Sequence, residues 1–125
     1  MTTVYLTVAE AIAIHDDQIT RFGGSHGVRD MGQLEAALFR PQTGYYPDLI
    51  AEAAALWESL SQNHPFVDGN KRTAFAVMFT FLAVNGMALT ADEAAVTKFL
   101  MPLYDRSAVS FDKLEPWLRN NTKPQ

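Results

Sequence analysis

His64-Pro65-Phe66-Val67-Asp68-Gly69-Asn70-Lys71-Arg72-Thr73 runs without a break into an apolar stretch that continues to Val84. The first half is polar and carries a proline, a glycine and an amide, the residues of a loop. The second half places Phe75, Val77, Met78, Phe79, Phe81 and Leu82 in every direction around a helical axis. The pattern predicts a polar loop feeding the N-terminus of a buried central helix, which Asn85-Gly86 then stops. The other elements are expected to pack around it.

Working outward, helical punctuation recurs on both sides. Thr7-Val8-Ala9-Glu10 is a capping box that opens a helix through Ile12, Ile14 and Ile19 toward Arg21, and Gly23-Gly24 stops it. Asp30 caps a second helix through Leu34, Leu38 and Phe39, which Pro41 ends. Arg40 to Pro47 reads as a loop. Asp48 starts a third helix with Leu49, Ile50, Ala53, Ala54, Trp57 and Leu60 on one stripe. Beyond the central helix, Thr90-Ala91-Asp92-Glu93 reads as a second capping box before Val96, Phe99, Leu100 and Leu103. Ser110 is expected to cap a last helix holding Leu114, Trp117 and Leu118. Val4-Tyr5-Leu6 and Met87-Ala88-Leu89 are candidates for a short β ribbon. The expected class is all-α, one domain over residues 1–125.

Composition agrees with a globular domain. The 125 residues are 48% hydrophobic and 19% charged, enough for a core without staples. There is no cysteine, which excludes disulfides, thiol nucleophiles and Cys-based zinc sites. No signal pattern or membrane-length apolar run is visible, so a cytoplasmic location is expected, with no membrane partner. A net charge of −4 argues against broad nucleic-acid binding.

The loop also carries chemistry. A helix N-terminus presents unpaired N–H groups and a partial positive charge, which suit phosphate. Lys71 and Arg72 add full positive charge there, and an arginine fork grips two phosphate oxygens at once. Cations are locally unfavourable at that end of a helix, so two of them imply an anion. Asp68 offers a hard oxygen suited to magnesium. His64 offers a base able to take a proton from a hydroxyl near neutral pH. Together these residues point to phosphoryl or nucleotidyl transfer.

The loop resembles the signature of the Fic/Doc superfamily, His-Pro-Phe-x-(Asp/Glu)-Gly-Asn-Gly-Arg-x-x-Arg, at His64, Pro65, Phe66, Asp68, Gly69, Asn70 and Arg72. Lys71 stands where adenylylating members carry Gly, and Phe75 where they carry the second Arg. Both departures look like the Doc branch, as do His15-Asp16, Gly23-Gly24, Arg29-Asp30, Leu34 to Leu38 and Arg40-Pro41-Gln42. The resemblance implies His64 as the base acting on a hydroxyl of a target protein, and Asp68 as the magnesium ligand on the phosphates of ATP. It implies Asn70, Lys71, Arg72 and the backbone after Gly69 as the phosphate cradle, with Phe66 packed inward to fix the loop.

Without Gly at position 71 and Arg at position 75, the pose exposing the α-phosphate loses two contacts. The Doc likeness then implies transfer of the γ-phosphate, with elongation factor Tu as the target. AMP transfer, as in the broader superfamily, is the alternative. No glutamate is followed by Gly or Asn, so the superfamily's inhibitory helix motif is absent. Restraint is then expected from an antitoxin whose disordered tail folds as a helix in the toxin's groove.

Three features stay outside this reading. His15-Asp16-Asp17 reads as a polar helix face rather than a metal cluster, because neighbours on a helix point apart. His26 has no partner in sequence. Arg40 and the loop from Gln42 to Tyr46 fit either target or nucleotide binding or plain packing.

Overall fold

A computed structural model describes residues 2–125. Its helices are α1 (Val8–Phe22), α2 (Met31–Phe39), α3 (Leu49–Gln62), α4 (Asn70–Val84), α5 (Glu93–Asp105) and α6 (Phe111–Asn120). A 3₁₀ turn, Arg40–Gln42, and two short strands, β1 (Met87–Leu89) and β2 (Thr122–Pro124), complete the described elements. The architecture is a helical bundle with one small ribbon.

Local chemistry sets most helix starts. Thr7 accepts from the Glu10 backbone N–H at 3.1 Å while the Glu10 carboxylate accepts from the Thr7 N–H at 2.9 Å, the reciprocal capping box. Such a cap contributes about 1 kcal/mol. Asp30 and Asp48 cap α2 and α3 through the N–H groups of Gln33 and Ala51. Pro41 ends α2, but the chain continues as a 3₁₀ turn, Arg40–Gln42.

α3 and α4 form the heart of the bundle. Nearly every residue of α3 from Ile50 to Ser61 is buried, and its alanines let neighbours approach closely. Trp57, fully buried, meets Phe75, Phe99 and Trp117 at ring-centroid distances of 5.7, 6.4 and 6.0 Å. α4 packs on α3 and α1, burying Thr73, Ala74, Val77, Met78, Phe81 and Leu82. One face of α4 differs from expectation. Phe79 is 47% exposed, because that side opens onto a groove rather than onto a neighbouring helix. Apolar character alone does not distinguish a core face from a groove wall.

The ribbon has a different partner from the one expected. Met87, Ala88 and Leu89 pair antiparallel with Pro124, Lys123 and Thr122. Val4 cannot serve, since its N–H and carbonyl are both taken by the Asn85 side chain, at 2.7 and 2.8 Å. Bonds from Thr90 N–H to the Asn121 carbonyl and from Gln125 N–H to the Gly86 carbonyl lock the two ends. That use of Thr90 also corrects the second capping box. Asp92, not Thr90, caps α5, accepting from the Ala95 N–H at 2.8 Å. Ser110 precedes α6 without a side-chain cap, and the Phe111 N–H donates instead to the Glu58 carboxylate on α3.

Candidate active site

The His64–Arg72 loop joins α3 to α4 and is built to hold one shape. Phe66, 1% exposed, anchors it in the core. The Asn70 side chain closes it: its Oδ1 accepts from the Phe66 N–H at 2.9 Å and its Nδ2 donates to the Phe66 carbonyl at 3.0 Å. A short antiparallel bridge, Val28 to Phe66, pairs the loop with the segment before α2, and the Val67 N–H donates to the Gly27 carbonyl at 3.0 Å.

Gly69 turns the chain into α4 with φ 70° and, having no side chain, supplies no cap. The first N–H groups of α4 are thus left for an outside acceptor, with Lys71 beside them. α4 begins at Asn70, three residues before the apolar run suggests, because Asn70 to Arg72 already follow the helical path.

His64 is exposed and lies at φ 48°, a left-handed conformation that costs a non-glycine residue on the order of 1–3 kcal/mol. It borders a cavity of about 260 Å³ that Lys71, Tyr104 and Ser107 also line. The Lys71 ammonium sits 4.8 Å from the centroid of the Tyr104 ring, within cation–π range. Burial pushes the Tyr104 hydroxyl up to about 12, so it stays neutral at physiological pH.

Asp68 is held by backbone. Its Oδ2 accepts from the Ser25 N–H at 3.1 Å and its Oδ1 from the Gly69 N–H at 2.8 Å. A Cβ at Gly24 would stand 2.7 Å from Asp68 Oδ2, so Gly24 is needed for the carboxylate's place as well as for its own φ of 114°. In sequence Gly23-Gly24 reads as a helix stop and as a point of likeness to the Doc branch, with no link to Asp68.

Each Asp68 oxygen keeps a lone pair free. Among the described residues there is no cluster of three or more metal-ligating side chains. A single carboxylate suits magnesium, which keeps waters and takes its remaining ligands from substrate phosphates. The donor set therefore fits that ion.

Arg72 points elsewhere. Its Nη2 donates to the Gly23 carbonyl at 2.8 Å, and the guanidinium lies 5.4 Å from the centroid of the Phe22 ring. Its buried Nε has no hydrogen-bond partner among the described residues. Arg40 is engaged in packing, donating to Tyr46, Ser59 and Glu58, the last at 2.7 Å.

The largest departure concerns His15. Far from lying on a polar face, it is 1% exposed and stacks on Phe66 at 4.0 Å with the rings 3° from parallel. Its Nε2 is 2.8 Å from the Asp68 carbonyl oxygen, which can only accept, so the proton sits on Nε2. His15 thus ties α1 to both the anchor and the acid of the loop. Its spacing with Ala11 and Ile19, four residues either side, was the available signal. We expect His15→Phe to keep the stacking but orphan the Asp68 carbonyl. Calorimetry should show a loss of about 1–3 kcal/mol, and magnesium-nucleotide affinity should fall several-fold. An affinity equal to that of the unaltered protein would rule out this loop-bracing role.

On its other side, Lys71 borders a mostly apolar groove of about 1080 Å³ between α1, α4 and α5. Phe22, Phe79 and Met101 line it and are 63%, 47% and 50% exposed. Among the described residues no helix is long and apolar enough to cross a membrane.

Known proteins share this arrangement of sequence. The chain is 57% identical over 76 residues to Toxin Doc of Mycolicibacterium smegmatis, covering 57% of this chain and 58% of that protein. It is 36% identical over 87 residues to Protein kinase doc of Escherichia phage P1, covering 66% of this chain and 69% of the phage protein. The stretch shared with the mycobacterial toxin thus spans less than two thirds of its length. Residues 5–82 match the model of the Fic/DOC family. That match runs from before α1 through nearly all of α4 and takes in the whole braced loop; this chain belongs to the Fic/Doc family.

Proposed function

We propose that this chain is a Doc-type toxin that transfers the γ-phosphate of magnesium-bound ATP to a hydroxyl of a translation factor, elongation factor Tu. The observation that carries the reading is the convergence on one braced loop of an exposed imidazole, a backbone-held carboxylate and the uncapped start of α4. His64 takes the proton of the acceptor hydroxyl. As the acceptor oxygen bonds to the γ-phosphorus, the bridging oxygen leaves with ADP. Asp68 would hold magnesium, which when bound would supply positive charge to neutralise the phosphates. The N–H groups at the start of α4, with Asn70 and Lys71, cradle the phosphates. Positioning and charge neutralisation are most of what this reaction needs.

Arg72 completes the clamp by exchanging the Gly23 carbonyl for phosphate oxygens, a move its unpartnered Nε favours. Position 75 supports γ- over α-transfer. Phe75 packs edge-on against Trp57 and lines the apolar groove, so no cation there grips a terminal phosphate. The groove supports the partner reading: an antitoxin tail, disordered alone, would lay an amphipathic helix against Phe22, Phe79 and Met101.

Intact mass measurement of elongation factor Tu after incubation with the protein and magnesium-ATP tests the proposal. A gain of one phosphate is expected. A gain of AMP would reject phosphotransfer in favour of adenylylation, and an unaltered factor beside a labelled second protein would reject the target.

A further inference from the structure

We infer that Arg29 is the positioning residue that aims the His64 imidazole; the inference rests on the base assignment proposed above. The Arg29 side chain reaches across from the segment before α2 to the end of α3. Its Nε donates to the His64 carbonyl at 2.6 Å and its Nη2 to the Asn63 carbonyl at 2.9 Å. The backbone N–H groups of Arg29 and Asp30 both donate to the Pro65 carbonyl, at 2.8 and 3.0 Å. Two adjacent residues therefore hold three consecutive carbonyls, those directly flanking the imidazole.

The grip has something to oppose. His64 sits at φ 48°, where a residue with a Cβ is disfavoured. Pro65 follows it, and a residue before proline is driven from the right-handed helical region toward extended backbone. Released, His64 relaxes to the extended form, which turns its carbonyl away from Arg29 and swings the imidazole with it. The first donor fork is what stops this. A guanidinium offers Nε and Nη2 along one edge, matched to two neighbouring carbonyls, whereas an ammonium is a single point of charge. The cation also lies at the C-terminal end of α3, where the helix dipole favours it. Exposure of Arg29 makes a role in the core implausible, since little apolar surface would be lost with it.

The test compares Arg29→Ala and Arg29→Lys with the unaltered protein, using magnesium-ATP and elongation factor Tu as probes. With the ring misdirected, Arg29→Ala should lower kcat roughly 100-fold with KM for ATP unchanged. Arg29→Lys, keeping one bond, should recover part of that loss. A readout independent of transfer comes from the imidazole resonances of the three histidines. His64 should shift or broaden in Arg29→Ala while His26, which pairs with Asp16, does not. Unchanged His64 resonances, or a raised KM at constant kcat, would overturn the inference. If the unaltered protein labels neither that factor nor any other protein, the base assignment falls, and the His64 resonance alone decides what Arg29 does. If Arg29→Ala does not fold, Arg29→Lys carries both measurements.

Discussion

Replacing His64 by alanine is expected to lower phosphate transfer by roughly 10²–10⁴-fold, the usual contribution of a positioned general base. The fold should survive. His64 is exposed, and among the described residues its side chain makes no hydrogen bond that the core depends on. Its backbone carbonyl, which Arg29 grips, is retained in any substitution. His64→Gly sharpens the test. Glycine adopts φ 48° without penalty, so that variant should be at least as stable as the unaltered protein while remaining inactive. Stability by calorimetry and initial rates on one preparation separate the two effects. Near-normal rates in either variant would remove His64 from the chemistry and leave the strained backbone without a purpose.

Asp68→Asn is expected to abolish the gain in ATP affinity that magnesium brings. Two changes act together. The amide loses the charge that a hard divalent cation needs. It also replaces one acceptor oxygen by an NH₂ group, while both Asp68 oxygens now face backbone N–H donors, those of Ser25 and Gly69. Whichever way the amide turns, a donor meets a donor, and the side chain leaves its seat against Gly24. Titration with ATP in the presence and absence of magnesium should give equal affinities for the variant. A magnesium-dependent gain as large as in the unaltered protein would mean that the ion is held elsewhere.

Much of the candidate site was legible because its chemistry is contiguous. His64, Asp68 and Asn70 to Arg72 occupy one short stretch, and a helix start so near them follows from local rules. What supports them was not. His15 bonds the Asp68 carbonyl from 53 residues away, and the Ser25 N–H meets the Asp68 carboxylate across 43. Arg72 reaches Gly23 across 49, which turns a residue read as a phosphate clamp toward a carbonyl. In sequence, His15-Asp16-Asp17 reads as a polar helix face. The spacing of His15 with Ala11 and Ile19 marks a buried stripe on α1, but the ring it stacks on, Phe66, belongs to another element and is not written there.

The division follows the range of the forces. Sequence by itself determined the helices, where caps and apolar spacing act within a few residues: the Thr7 box and the Asp30 and Asp48 caps. It also determined the loop's reactive groups, whose types are written in order. Only the tertiary structure decided the rest. The ribbon took Thr122–Pro124 rather than Val4–Leu6, because Asn85 had claimed both polar groups of Val4. One face of α4 became a groove wall, because among the described residues no helix covers Phe79. The setting of His64 and Asp68 came from Arg29, His15 and Gly24. Each acts across the fold through a contact whose energy depends on where two distant segments meet, and neither segment carries that information alone.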